Sequence, residues 1–114
     1  MTKLKTPRVV AAIIINEKGE IFSAERVYGD LKGKWEFPGR KIEAGETPKQ
    51  ALIREIEEKL NTEIMVGRFF CNVQWDYPTF HLDMDGFICH VKNGQLQIEE
   101  GTYMSMQFTP INKL

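Results

Sequence analysis

Residues 35–60, W-E-F-P-G-R-K-I-E-A-G-E-T-P-K-Q-A-L-I-R-E-I-E-E-K-L, constrain the fold more than any other stretch. A Gly-containing bend leads into a helix start and then a helix crowded with carboxylates. Thr47 suits the N-cap, Pro48 the first helical position, and Gln50 completes a T-x-x-Q capping box. Leu52, Ile53, Ile56 and Leu60 then recur at helical spacing, which predicts a narrow apolar stripe. At roughly 100° per residue, Glu55 and Glu58 share one flank of that stripe, while Glu57 points elsewhere. Two carboxylates one turn apart, facing the bend, suit a hard divalent cation such as Mg²⁺, which takes oxygen ligands and shares its shell with substrate phosphate. The ordinary alternative is a solvated helix face laced with surface ion pairs.

The rest of the composition narrows the class. A chain of 114 residues is expected to form one domain, 1–114, with a sizeable core. Its hydrophobic content of 42% and charged content of 27% fit a soluble globular protein. A net charge of −1 argues against nucleic-acid polymers and anionic membranes as partners, and leaves room for a nucleotide-sized ligand. Cys71 and Cys89 lie in apolar, strand-like contexts without metal-ligand spacing. They read as free thiols of a cytoplasmic protein, with a disulfide between neighbouring strands as the alternative. Val9–Ile15 follows basic residues but no cleavage site follows it, so it reads as a strand and not a signal peptide.

Taken in order, Arg8–Asn16 is Val/Ile-rich without alternation, as a central strand covered on both faces requires. Glu20–Arg26 alternates, with Phe22 and Ala24 on the face opposite Ile21 and Ser23. Trp35–Phe37 is a short strand, and Pro38-Gly39 makes a bend able to aim a carbonyl at a cation. Arg40 would strain that bend if its φ were positive; its guanidinium is equally suited to a phosphate. After the helix, Glu63–Trp75 and Phe80–Val91 read as strands broken by Asp76–Thr79. Asp83 and Asp85 face either solvent or a cleft, solvent being favoured. Asn93-Gly94 predicts a type I′ hairpin turn. A last strand is expected over Tyr103–Phe108.

Residues 40–62 resemble the Nudix box, G-x5-E-x7-R-E-U-x-E-E-x-G-U, with U a bulky aliphatic residue. Glu46, Arg54, Glu55, Ile56 and Glu58 match it. The flanking E-F-P-G and K-I-E-A-G-E are similar to the MutT-like, CTP pyrophosphohydrolase-like branch of the Nudix hydrolase family. Arg40, Lys59, Asn61 and Thr62 depart from the box. Asn61 suits the left-handed C-cap. Lys59 places an ammonium where relatives usually carry a metal-binding carboxylate, or else pairs with Glu55 along the helix.

The resemblance implies an α+β Nudix fold, an α/β/α sandwich around a mixed sheet, lacking the C-terminal helix, since the sequence stops at Leu114. The apolar sheet surface thereby exposed suggests a homodimer. The implied activity is Mg²⁺-dependent hydrolysis of nucleoside triphosphates to the monophosphate and pyrophosphate, with Mn²⁺ as substitute. Metal ligands would be Glu55, Glu58 and the Gly39 carbonyl. Glu55 or Glu100 would act as base, and Glu46–Arg54 would lock loop to helix. Arg26, Arg40 and Tyr77 would contact the nucleotide; for Arg26 and Tyr77 a surface ion pair and an ordinary core or surface Tyr are the alternatives. Two other functions compete: a catalytically weakened module that binds a nucleotide or protein, and an ADP-ribose or dinucleotide hydrolase.

Overall fold

The helix forms where its signals predict it. In the computed structural model, which describes residues 8–27, 33–78, 80–96 and 103–110 (backbone only at 103 and 104), α1 spans Pro48–Leu60. Thr47 Oγ1 accepts from the Gln50 N–H at 3.1 Å, and Gln50 Oε1 accepts from the Thr47 N–H at 2.9 Å, closing the capping box. At the other end Asn61 adopts φ 49°, ψ 43°, and its N–H donates to the Glu57 carbonyl at 3.0 Å. The buried face is Ala51, Leu52, Glu55, Ile56 and Leu60. Ile53 is the correction to the expected stripe: it lies one residue round from Leu52 and is 38% exposed, while the smaller Ala51 packs inward.

The strands are β1 (Arg8–Ile14), β2 (Glu20–Arg26), β3 (Trp35–Glu36), β4 (Gly39–Lys41), β5 (Glu63–Asp76), β6 (His81–Asn93) and β7 (Tyr103–Pro110). One sheet runs β4-β1-β6-β5 and the other β3-β2-β7. The first is mixed: β1 is parallel to β6, with Ala11 opposite Gly86, and antiparallel to β4, with Ala11 opposite Gly39. Central β1 is buried from Val10 to Ile14, as its unbroken apolar run requires. Val10, Ala12 and Ile14 join Phe22, Leu52, Ile56 and Leu60 in the core that seats α1 on the sheet.

Two local expectations change. Asn93 remains in β6, paired with Glu63, and only Gly94 turns left-handed (φ 84°), so no type I′ turn forms there. The buried Thr62 hydroxyl lies 2.7 Å from the Gln95 carbonyl and holds the chain against the end of α1 instead. Arg40 is ordinary strand backbone opposite Val10 and carries no positive-φ strain. Both cysteines are free thiols. Burial pushes the Cys89 thiol up to about 12.

Among the described residues α1 is the helix, and none is long and apolar enough to cross a membrane. Met65, Phe69, Phe70 and Trp75 of β5 are each more than half exposed.

Candidate active site

The bend before α1 is held by close packing. Pro38 is buried, and its carbonyl accepts from the Ala12 N–H at 2.7 Å. A Cβ on Gly39 would stand 2.3 Å from the Val10 carbonyl oxygen, so only glycine lets β4 lie this close to β1. The Gly39 carbonyl is thereby fixed beside α1.

Glu46 and Arg54 fasten loop to helix. Arg54 Nε donates to Glu46 Oε2 at 2.8 Å and Nη2 to Oε1 at 2.9 Å, a two-pronged pair, while the Glu43 N–H also donates to Oε1 at 3.1 Å. The Arg54 hydrogen bonds, reinforced by the Glu43 backbone, hold the Glu46 carboxyl down at about 2.

Glu55 is fully buried and faces a cleft of about 640 Å³ with Gly39, Arg40, Lys59, Arg26 and Tyr77 on its walls. A carboxylate taken out of water needs opposite charge and hydrogen bonds nearby. Lys59 Nζ stands 2.5 Å from Glu55 Oε1, and Arg40 Nη1 donates to Oε2 at 3.1 Å. The same ammonium donates to the Gly39 carbonyl at 3.2 Å. Arg40 Nη1 also donates to Glu58 at 3.2 Å, and Arg54 Nη1 lies 3.6 Å from Glu58. The Glu55 hydrogen bond is the main cause raising the Arg40 pKa, so Arg40 is a permanent cation. Arg40 therefore faces carboxylates in this arrangement, not open cleft alone.

These contacts bear directly on the implied Mg²⁺. Its three expected donors are close together, but an ammonium sits between two of them, the Gly39 carbonyl and Glu55. No group of three or more His, Cys, Asp or Glu side chains among the described residues is arranged to hold a metal. At an effective dielectric near 20, two unit charges 4 Å apart interact by about 4 kcal/mol, so Lys59 would cancel the attraction that a dication at that distance gains from one carboxylate. As arranged, the donor set does not fit a divalent ion.

The remaining expected residues separate by position. Arg26 Nη1 is 3.5 Å from Glu36, at the cleft wall. Tyr77 stacks on Phe80 with ring centroids 4.7 Å apart and planes 19° from parallel. Glu58 lies on the outer flank of α1, its side chain 52% exposed. Glu100 falls outside the described residues. Asp83 and Asp85 bind Asn72 at 2.7 and 2.8 Å on the opposite side of β6 from the cleft-lining Leu82 and Met84.

Lys41, Glu36, Phe37, Leu82 and Met84 also line the cleft, beyond the residues that the box motif and its flanks single out for a role. The period-2 pattern of β6, which puts Leu82 and Met84 on one face, was the signal for two of them. A second cavity of about 660 Å³, with Ser23, Trp35 and Gln107 on its walls, shares Glu36, Phe37, Tyr77, Leu82 and Met84 with the first.

A carboxylate-bearing helix laid on a mixed sheet, with the loop before it tied to it by a Glu–Arg pair, makes this an α+β domain. The chain belongs to the Nudix family: residues 5–114 match the NUDIX domain. It is 30% identical over 103 residues to an 8-oxo-dGTP diphosphatase of Proteus vulgaris, covering 90% of this chain and 92% of that protein. It is 43% identical over 76 residues to the protein of that name from Haemophilus influenzae, covering 66% of this chain and 56% of that one. The matched stretch thus spans little more than half of the Haemophilus relative. A MutT protein structure from Methanosarcina mazei Go1 superposes with a TM-score of 0.88 at 22% identity, covering 99% of this chain and 83% of that one, a likeness of fold.

Proposed function

We propose that this chain hydrolyses a nucleoside triphosphate to the monophosphate and pyrophosphate. The observation that carries the reading is the cleft itself. Arg26, Arg40, Lys41 and Lys59 line it together with the buried Glu55, while Phe37, Tyr77, Phe80, Leu82 and Met84 offer apolar and aromatic surface for a base. The relatives named as 8-oxo-dGTP diphosphatases support the same substrate class.

In this reading the cations bind the polyphosphate and draw off charge that otherwise repels a nucleophile. Water attacks the β-phosphorus, and the oxygen bridging to the α-phosphorus leaves with the monophosphate. The water's proton passes to Glu55, or to Glu100 in the segment outside the described residues. Arg26 and Arg40 hold phosphate and Tyr77 packs against the base. Glu46–Arg54 keeps the loop in register with α1.

Mg²⁺, or Mn²⁺ in its place, belongs to the family expectation. Glu55, Glu58 and the Gly39 carbonyl are its expected ligands, and in this arrangement Lys59 lies between Glu55 and the Gly39 carbonyl.

The test is a panel of ordinary, oxidised and methylated nucleoside triphosphates with phosphate and pyrophosphate detected separately, with Mg²⁺, Mn²⁺ or EDTA. Pyrophosphate release, lost in Glu55→Gln, is expected. No turnover of any nucleotide with either ion overturns the reading. The pairing of Lys59 and Arg40 with Glu55 favours one competitor, a nucleotide-binding domain with weakened catalysis; binding without turnover would select it. A homodimer across the exposed apolar surface is part of the same proposal, and a mass independent of concentration in light scattering would remove it.

A further inference from the structure

We infer that Lys59 is a resident cation that takes a divalent ion's place in this site, so that the chain binds the phosphates of a nucleotide without a bound metal. Four observations converge. The ammonium touches the Gly39 carbonyl at 3.2 Å and Glu55 at 2.5 Å, the two groups that meet at the head of α1's carboxylate flank. Glu55 is wholly buried, so its charge must be balanced in place, and Lys59 with Arg40 balances it. Glu58, the other carboxylate of that flank, is held by Arg40 at 3.2 Å and flanked by Arg54 at 3.6 Å. Among the described residues the cleft wall then carries four cations, Arg26, Arg40, Lys41 and Lys59, and two carboxylates, Glu36 and Glu55.

The electrostatic consequence is an inversion of the usual arrangement. A site built to capture a dication presents surplus negative charge and recruits phosphate through the metal. Among the described residues this cleft wall is already positive, and both carboxylates of the α1 flank are held by cations. Phosphate oxygens are recognised directly by charge-assisted N–H donors, and Arg40, with its side chain 42% exposed, offers its guanidinium to the cleft as well as to the acids. The ligand class, a polyphosphate, rests on the nucleotide reading above; the place of the ammonium does not.

Two measurements test the inference separately from catalysis. Free Mn²⁺ is titrated by electron paramagnetic resonance against wild type and Lys59→Glu, without nucleotide. Wild type is expected to bind Mn²⁺ at least about tenfold more weakly than Lys59→Glu, the size of effect a disturbed metal shell produces. Equal and stoichiometric Mn²⁺ binding by both overturns it. Calorimetry with inorganic tripolyphosphate in EDTA should then give saturable binding to wild type, weakened at least about tenfold in Lys59→Glu and partly restored in Lys59→Arg. Tripolyphosphate binding that appears only on adding Mg²⁺ also overturns it. Failure of every nucleotide to turn over would remove the hydrolase reading and leave the Mn²⁺ contrast to decide the role of Lys59.

Discussion

Glu55 shows how one buried charge organises its neighbours. It is one of three carboxylates that match the box motif, and it lies at 0% exposure between an ammonium and a guanidinium. Removing one partner leaves charge uncompensated, so Lys59→Met is expected to cost about 1–3 kcal/mol, Arg40 remaining in place. In a Glu55→Gln background the same change should cost much less, and urea denaturation of the four proteins measures that coupling. Glu46 gives a pH-dependent counterpart. Arg54 depresses its folded-state value from 4.5 to about 2, so the stabilisation is present above the ordinary carboxylate range and is lost as pH falls towards 2. Thermal melts should show Glu46→Gln less stable than wild type at neutral pH, with the gap closing between about pH 4.5 and 2.

α1 was the most legible element, because its capping box, apolar positions and left-handed Asn61 all act through local backbone chemistry. Its exact inward face was less so. A helical stripe is about 100° wide, and sequence alone could not say whether Ile53 or Ala51 borders the sheet. The structure makes the distinction measurable. Leu52→Ala removes a fully buried side chain and should cost about 2–5 kcal/mol, whereas Ile53→Ala at an exposed position should change stability by no more than about 0.5 kcal/mol. Equilibrium denaturation of both variants checks the assignment. The Asn93-Gly94 turn misled for a related reason: a dipeptide preference yielded to β6 pairing with β5 and to the Thr62–Gln95 contact.

At the scale of the molecule, the two sheets and α1 bring together residues distant in the chain. Arg26 from β2, Arg40 from β4, Glu55 and Lys59 from α1 and Tyr77 after β5 share one cleft. A ligand filling it binds only the folded chain, so a triphosphate nucleotide at a hundredfold excess over its Kd should stabilise by about 2.7 kcal/mol. A rise in Tm that scales with nucleotide concentration is the readout; a Tm indifferent to every triphosphate tested would argue against the cleft as the binding site. By itself the sequence determined the family, the helix with its caps, the glycine bend and the identity of the unusual cations at 40 and 59, because all of these are written in local spacing. Only the tertiary structure decided where those cations go. Lys59 sits one turn from Glu55 along the helix, but its place at the Gly39 carbonyl depends on β4 lying against β1, a contact between segments that no local pattern encodes.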